Sequence, residues 1–189
     1  MNLIPFSLEQ KIHQVITQKI SLEDFENWLY QNDELEALNP NLYLELISFD
    51  YSHESSFREF QLSFEKYVGF HKFEADLIKE YLYSIIDREN DYEHSIWKLY
   101  ELYCTGYEFL QKLGLKYGLC LIDTSYPVEL VKDSNDVIDM FYPDIISDAK
   151  NVLDWLEEGE IIFREEKSER GGFKYDDLRT GEEKQQGKF

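Results

Sequence analysis

Basic residues are scarce in this sequence. Only 19 Lys and Arg stand against 39 Asp and Glu, a formal net charge of -20 at pH 7. That argues against direct binding of nucleic acid, because a protein that neutralises phosphates needs a basic patch. It argues equally against an anionic membrane surface, which recruits polybasic segments. Long uncharged runs are missing as well: no window approaches the roughly 18 apolar residues of a membrane span. Met1 to Ser7 also lacks the basic start and apolar stretch of a secretory signal. Glycine and proline are few, 9 and 4, which favours long helices over the many short strands of a sandwich. The two cysteines, Cys104 and Cys120, are too few for a disulfide framework. Both read as reduced core thiols in a cytoplasmic protein.

Aromatic residues, by contrast, are plentiful. They make up 16% of the chain within an apolar share of 43%, so the disordered reading of a highly charged chain fails and a sizeable core can be buried. A length of 189 residues favours one domain with at most a small appendage.

Apolar spacing then places the elements. Ser7 opens a Ser-x-x-Gln box, and Ile12, Val15, Ile16 and Ile20 predict a helix over 8–20. Ser21 and Asp24 resemble a capping box for a second helix striped by Leu22, Phe25, Trp28 and Leu29. Leu42 to Phe49 fits a strand or a helix, with helix preferred. Phe57, Phe60, Phe64 and Tyr67 predict a helix over 54–68, and Phe73, Leu77, Tyr81 and Ile85 another over 70–88, broken apart by Gly69. A longer stripe, Ile96, Leu99, Tyr100, Tyr103, Cys104, Tyr107 and Leu110, predicts one central helix capped by Gly114. Residues 114–130 read as an ordered loop with a short extended piece at 119–122, and a last helix follows Pro143 and ends at Gly159. From Ile161 onward apolar residues thin out, which predicts a hairpin of 161–165 with 173–177 or a mobile tail whose last ten residues are disordered. The expected fold is mainly α, a multi-helix bundle of six to seven helices with a short C-terminal β-hairpin as the ordered form of the tail. Its organisation would be an acidic helical domain over 1–163 and a charged tail over 164–189, forming a hairpin or partly disordered.

The charge is unevenly spread. Residues 21–60 hold ten acids and one base, Arg58, and 119–163 hold eleven acids and two bases, Lys132 and Lys150, while the tail is neutral. An acid-rich face keeps a protein soluble, but concentrated like charge also repels itself and costs stability. A basic partner offsets that cost. Proteins that themselves bind nucleic acid are basic, and an acidic inhibitor that imitates the phosphate backbone associates with them fast. Trp28, Tyr30, Tyr43 and Tyr51 lie among these acids and could anchor such a partner, although Trp28 on an apolar stripe reads first as core.

Signatures of catalysis are absent. No Gly-x-Ser-x-Gly elbow occurs, neither cysteine sits in a catalytic pattern, and Gly114-Leu-Lys-Tyr-Gly118 lacks the ending of a P-loop and the third glycine of a dinucleotide site. The Asp50-x-x-His53 and Asp91-x-x-His94 pairs fall at helix starts, where Asp is more simply a cap. A metal-dependent helical enzyme using His53, His71 or His94 is the alternative from another class.

Four stretches are together similar to small acidic bacterial immunity proteins of polymorphic or contact-dependent toxin systems: SLEDFENWLYQNDELE at 21–36, NLYLELISFDY at 41–51, LYCTGYEFLQKLGLKYGL at 102–119 and FYPDIISDAKNVLDWLE at 141–157. The resemblance implies a cytoplasmic protein of bacterial competition that binds a cognate toxin domain, often a nuclease, and blocks it. The charge distribution leads to the same expectation. The sequence thus predicts a non-enzymatic inhibitor with no catalytic residues, metal or cofactor, bound to a basic toxin domain through 21–60. Glu23, Asp24, Glu26, Asp33, Glu34 and Glu36 would carry steering and ion pairing, with Trp28 and Tyr30 as anchors. A cytoplasmic adaptor with another partner would share every one of these features.

Overall fold

The computed structural model of the chain describes residues 4–32, 34–89, 91–119 and 140–188, and of Glu34 the backbone alone. It is mainly helical and ends in a short antiparallel two-stranded sheet, as the periodicity predicts. The residues gather into two compact units, 1–70 and 71–189. The boundary expected at 163/164 falls inside a β-strand, and residues 164–188 take the ordered alternative, completing a hairpin and adding a short helix.

In the first unit α1 spans Phe6–Ile16, α2 Leu22–Tyr30, α3 Glu34–Leu38, α4 Pro40–Ile47 and α5 Ser56–Phe64. Helix α1 starts after Pro5, without a side-chain cap from Ser7, and stops short of Ile20 because Gln18 turns the chain at φ 58°. Its inner face buries Leu8, Ile12, Val15 and also Glu9, whose Oε1 accepts the Gly69 N–H at 2.7 Å. The capping box of α2 forms as expected: Asp24 N–H donates to Ser21 Oγ (3.0 Å) while Ser21 N–H donates back to the Asp24 carboxylate (3.2 Å). Asn39 caps α4 through Leu42 N–H, with Pro40 in its first turn where a missing N–H costs nothing. The core is a herringbone of rings: Phe60 meets Phe25 edge-on at 5.1 Å and Phe49 at 5.6 Å, and Phe49 meets Phe64 at 5.7 Å. The predicted helix over 54–68 is thus α5 plus a 3₁₀ turn, Glu65–Tyr67, before the break at Gly69.

A 3₁₀ turn, Phe70–Lys72, begins at the last residue of the first unit and leads into α6 of the second, Glu74–Ile86, after which α7 spans Tyr92–Cys104. The long stripe predicted as one central helix is divided. Helix α7 ends at Cys104, Gly106 turns the chain at φ +113°, and a 3₁₀ turn, Glu108–Leu110, precedes a π-wound segment, Leu113–Gly118. Gly114 is therefore no cap. A Cβ there would lie 3.0 Å from Tyr103 Cβ, and one at Gly118 would lie 2.6 Å from Tyr100 Cβ, so these glycines let the wound segment lie against α7. Cys104 is exposed, against its expected place in the core, while Cys120 and the extended piece expected at 119–122 lie outside the described residues apart from the helical Leu119.

Helix α8, Asp144–Glu157, follows Pro143 and ends at Gly159 (φ +73°), both as predicted. Strands β1, Ile161–Lys167, and β2, Phe173–Asp177, then pair antiparallel with Ile161 opposite Asp177 and Phe163 opposite Tyr175. Phe163 and Tyr175 pack on Tyr107 and Phe109. Tyr107 Oη ties the arrangement together by donating to Glu74 (2.6 Å) and accepting the Phe173 N–H (2.9 Å). Residues 180–188, expected to be disordered, are structured: α9, Gly181–Gln186, carries a Thr180–Glu183 capping box, and Gly187 is buried with its carbonyl accepting the Lys112 N–H at 3.2 Å.

Candidate functional site

Helix α2 sends Phe25 and Leu29 into the core, and its other positions fall on two separate edges. Glu23, Glu26 and Tyr30, spaced i, i+3 and i+7, share one edge. Glu23 and Tyr30 are exposed, Tyr30 by 54%, and Glu26 is half-buried. The Tyr30 hydroxyl lies against the Glu26 carboxylate and beside Tyr43 of α4, and its pKa is raised by loss of water and by that carboxylate. Tyr51 closes the group. It donates to Leu46 O at 2.8 Å, and burial, then Glu26 and Tyr30, raise its pKa.

Asp24 and Trp28, spaced i and i+4, lie on the other edge. The Asp24 carboxylate is occupied by its own helix end, accepting from Ser21 Oγ at 2.7 Å, and these hydrogen bonds lower its pKa, with Lys11 adding to the effect. Trp28 is half-buried, 5.9 Å from Phe25 and 6.0 Å from the Lys11 ammonium. A shallow open depression of about 520 Å³ lies on this side, between the α1–α2 turn and Phe57. Glu36 is exposed on α3, whereas Asp33 and the Glu34 side chain lie outside the described residues. Of the eight residues expected to form one surface, the structure brings together Glu23, Glu26 and Tyr30. Asp24 and Trp28 sit around the helix from them.

Sequence reasoning passed over Leu38 and Leu44, exposed by 63% and 62%. The signal was present in the ambiguity of Leu42, Leu44 and Leu46: on a helix Leu42 and Leu46 share the inner face and Leu44 must point out.

The histidine pairs build local turns. Asp50 accepts from Ser52 N–H and Oγ, and His53 Nδ1 accepts the Ser55 N–H at 3.2 Å. Asp91 precedes α7 without making the side-chain cap expected of it. His71 meets Phe173 edge-on at 6.1 Å, and His94 is exposed. Among the described residues no three His, Cys, Asp or Glu side chains converge as a metal site requires, and no helix is long and apolar enough to cross a membrane. No protein family, curated protein or solved structure was found to match the chain.

Proposed function

We propose that this protein is a non-enzymatic inhibitor of the immunity-protein type, which acts in the cytoplasm by binding and blocking a basic toxin domain, a nuclease in the first instance. One observation supports the reading above others: the sequence has no Lys or Arg between residues 20 and 57, and within that stretch Glu23, Glu26 and Tyr30 stand on one open edge. Unrelieved like charge costs stability, and a basic partner would turn that cost into steered association and salt-sensitive affinity. Nuclease domains are basic because they bind phosphate backbones. A tyrosine amid the acids supplies the kind of rigid anchor that dominates binding energy.

The test is to express the full chain with the toxin domain encoded beside its gene, and to measure cell survival and complex formation. Survival with the chain present, and an equimolar complex whose association slows as salt is raised, is the expected result. Equal killing with and without the chain, together with no association of the purified proteins, would refute the reading.

A further inference from the structure

Helix α4 carries apolar residues on both its inner and its outer side, with exposed Asn41 and Glu45 along one edge between them. Its inner face buries Leu42 and Leu46 at 3% and 0% exposure. Its outer face carries Pro40, Tyr43, Leu44 and Ile47 at i, i+3, i+4 and i+7, with Pro40 and Leu44 exposed and Tyr43 and Ile47 half-buried. A helix with water on one side normally presents polar residues there. Exposed Tyr30 lies beside Tyr43, and exposed Leu38 ends α3, which packs against α4. Tyr30 extends the stripe beyond one helix.

We infer that this outer face of α4 is a docking face for a cationic amphipathic helix. A stripe spaced i, i+3, i+4, i+7 offers a partner helix two turns of apolar contact, about 12 Å along eight residues. The flank toward α2 sets the sign of the occupant: the Glu26 carboxylate lies against Tyr30, the neighbour of Tyr43, Glu23 shares that edge of α2, and no Lys or Arg occurs from 20 to 57. On the opposite edge Glu45 is taken up by Lys66 at 3.8 Å and by the Tyr67 hydroxyl at 3.4 Å. The occupant's Arg or Lys residues therefore fall on the α2 side and its Leu-type residues on Tyr43, Leu44 and Ile47. This deepens the inhibitor reading and rests on it only for the partner's biological identity.

A defined probe tests the surface separately from that reading: a labelled Arg/Leu amphipathic helical peptide of about 18 residues, compared at physiological salt with a scrambled peptide of equal composition. The amphipathic peptide should bind the full chain at least about tenfold more tightly than the scrambled one, a difference of about 1.4 kcal/mol. L44S should remove about that preference, since an exposed anchor is lost without a core residue being touched. Leu62→Ser, at an exposed position on α5, should leave it intact. Because L44S removes no buried contact, its Tm should match that of the native chain, and Leu44→Arg is a second variant that adds charge repulsion toward the peptide. Equal binding of the two peptides, or unchanged binding by both Leu44 variants, overturns the proposal. Failure of toxin protection with peptide binding intact would instead count against the inhibitor reading alone.

Discussion

The guanidinium of Arg179 lies 4.4 Å from the ring centroid of Trp155, and it donates from Nε and Nη2 to the two carboxylate oxygens of Asp177 at 2.9 Å each. One buried cation thus joins the end of β2 to α8, and α9 closes over it. Gly187 sits so near that a Cβ there would lie 2.9 Å from Arg179 Nη1, and Lys184 Nζ donates to Asp177 O at 3.0 Å. Deleting residues 180–189 should therefore lower stability by about 1–3 kcal/mol through lost hydrogen bonds and the uncovered indole, read as a fall in Tm by calorimetry. Arg179→Lys, which keeps the charge but loses the paired donors, should cost a similar amount. An unchanged Tm after the deletion would show that α9 adds nothing to the fold.

Glu160 borders the same cluster, with Oε2 buried and without a hydrogen-bond partner among the described residues. Its pKa is raised by burial and then by Glu183 and Glu158, with Arg179 opposing. A carboxyl whose folded pKa exceeds its unfolded value contributes stability below the unfolded pKa and loses that contribution as pH rises through the folded one. Glu160→Gln should accordingly raise Tm at neutral pH, and the gain should shrink as the buffer is taken down through the ordinary glutamate range. A gain that stays constant across that range would remove ionisation as its cause.

Gly118→Ala should destabilise by about 1–3 kcal/mol, because a Cβ placed 2.6 Å from Tyr100 Cβ forces the π-wound segment off α7. Gly181→Ala is the matched control, since no atom of the described residues lies within 4 Å of a Cβ there and it opens α9. Urea denaturation of the two variants decides the matter, and equal midpoints would mean that α7 and the π segment part readily.

Those glycines also show where the sequence was legible and where it was not. Ser21–Asp24 and the termination at Gly159 are local devices, fixed by three or four neighbouring residues, and both were readable. The pairing of Ile161 to Phe163 with Tyr175 to Asp177 was readable because a short apolar run and the alternating Phe173 and Tyr175 stand on either side of Gly171-Gly172. Gly114 and Gly118 depend on Tyr103 and Tyr100, more than ten residues away, so spacing alone made Gly114 look like a cap. The tail misled for a related reason: α9 itself buries no residue, and what holds it is a backbone carbonyl at Gly187 and an arginine on a tryptophan. Composition does not record such contacts. The candidate surface was half legible: the acids were plain, but their division between two edges of α2 required knowing that Phe25 and Leu29 face inward.

Buried tyrosines should govern the response to alkali. Burial is the main cause raising the pKa of Tyr107, with the Glu74 carboxylate next, and of Tyr117, with Asp148 next. A tyrosine with a raised folded pKa contributes stability that is fully present below the unfolded value, about 10, and is lost as pH rises above it. Spectrophotometric titration should therefore show a late group of tyrosines ionising together with unfolding rather than along a smooth curve. Tyr107→Phe should cost about 1–3 kcal/mol, since it strands the Phe173 N–H and removes a donor from Glu74. If this variant unfolds at the native midpoint, the Tyr107 hydroxyl is not the tie between β2 and α6.

The two edges of α2 make the inhibitor reading testable at the level of single charges. Glu23 and Glu26 share the edge of Tyr30, and reversing both to Lys should slow association with the toxin domain by about tenfold at low salt and flatten its salt dependence, because the steering field is lost before contact is made. Asp24→Lys changes the net charge by as much per site but lies on the other edge, and its carboxylate serves Ser21. It should leave the association rate closer to native while lowering Tm through the lost capping box. That loss has a pH signature: Asp24 has a lowered folded pKa, so its stabilisation holds above the ordinary aspartate value and fades as pH falls through the folded one. Stopped-flow association rates for the two variants across a salt series separate the cases. If Asp24→Lys slows binding as much as the Glu23/Glu26 pair, the field of the whole domain steers the partner and the α2–α4 edge holds no privileged place.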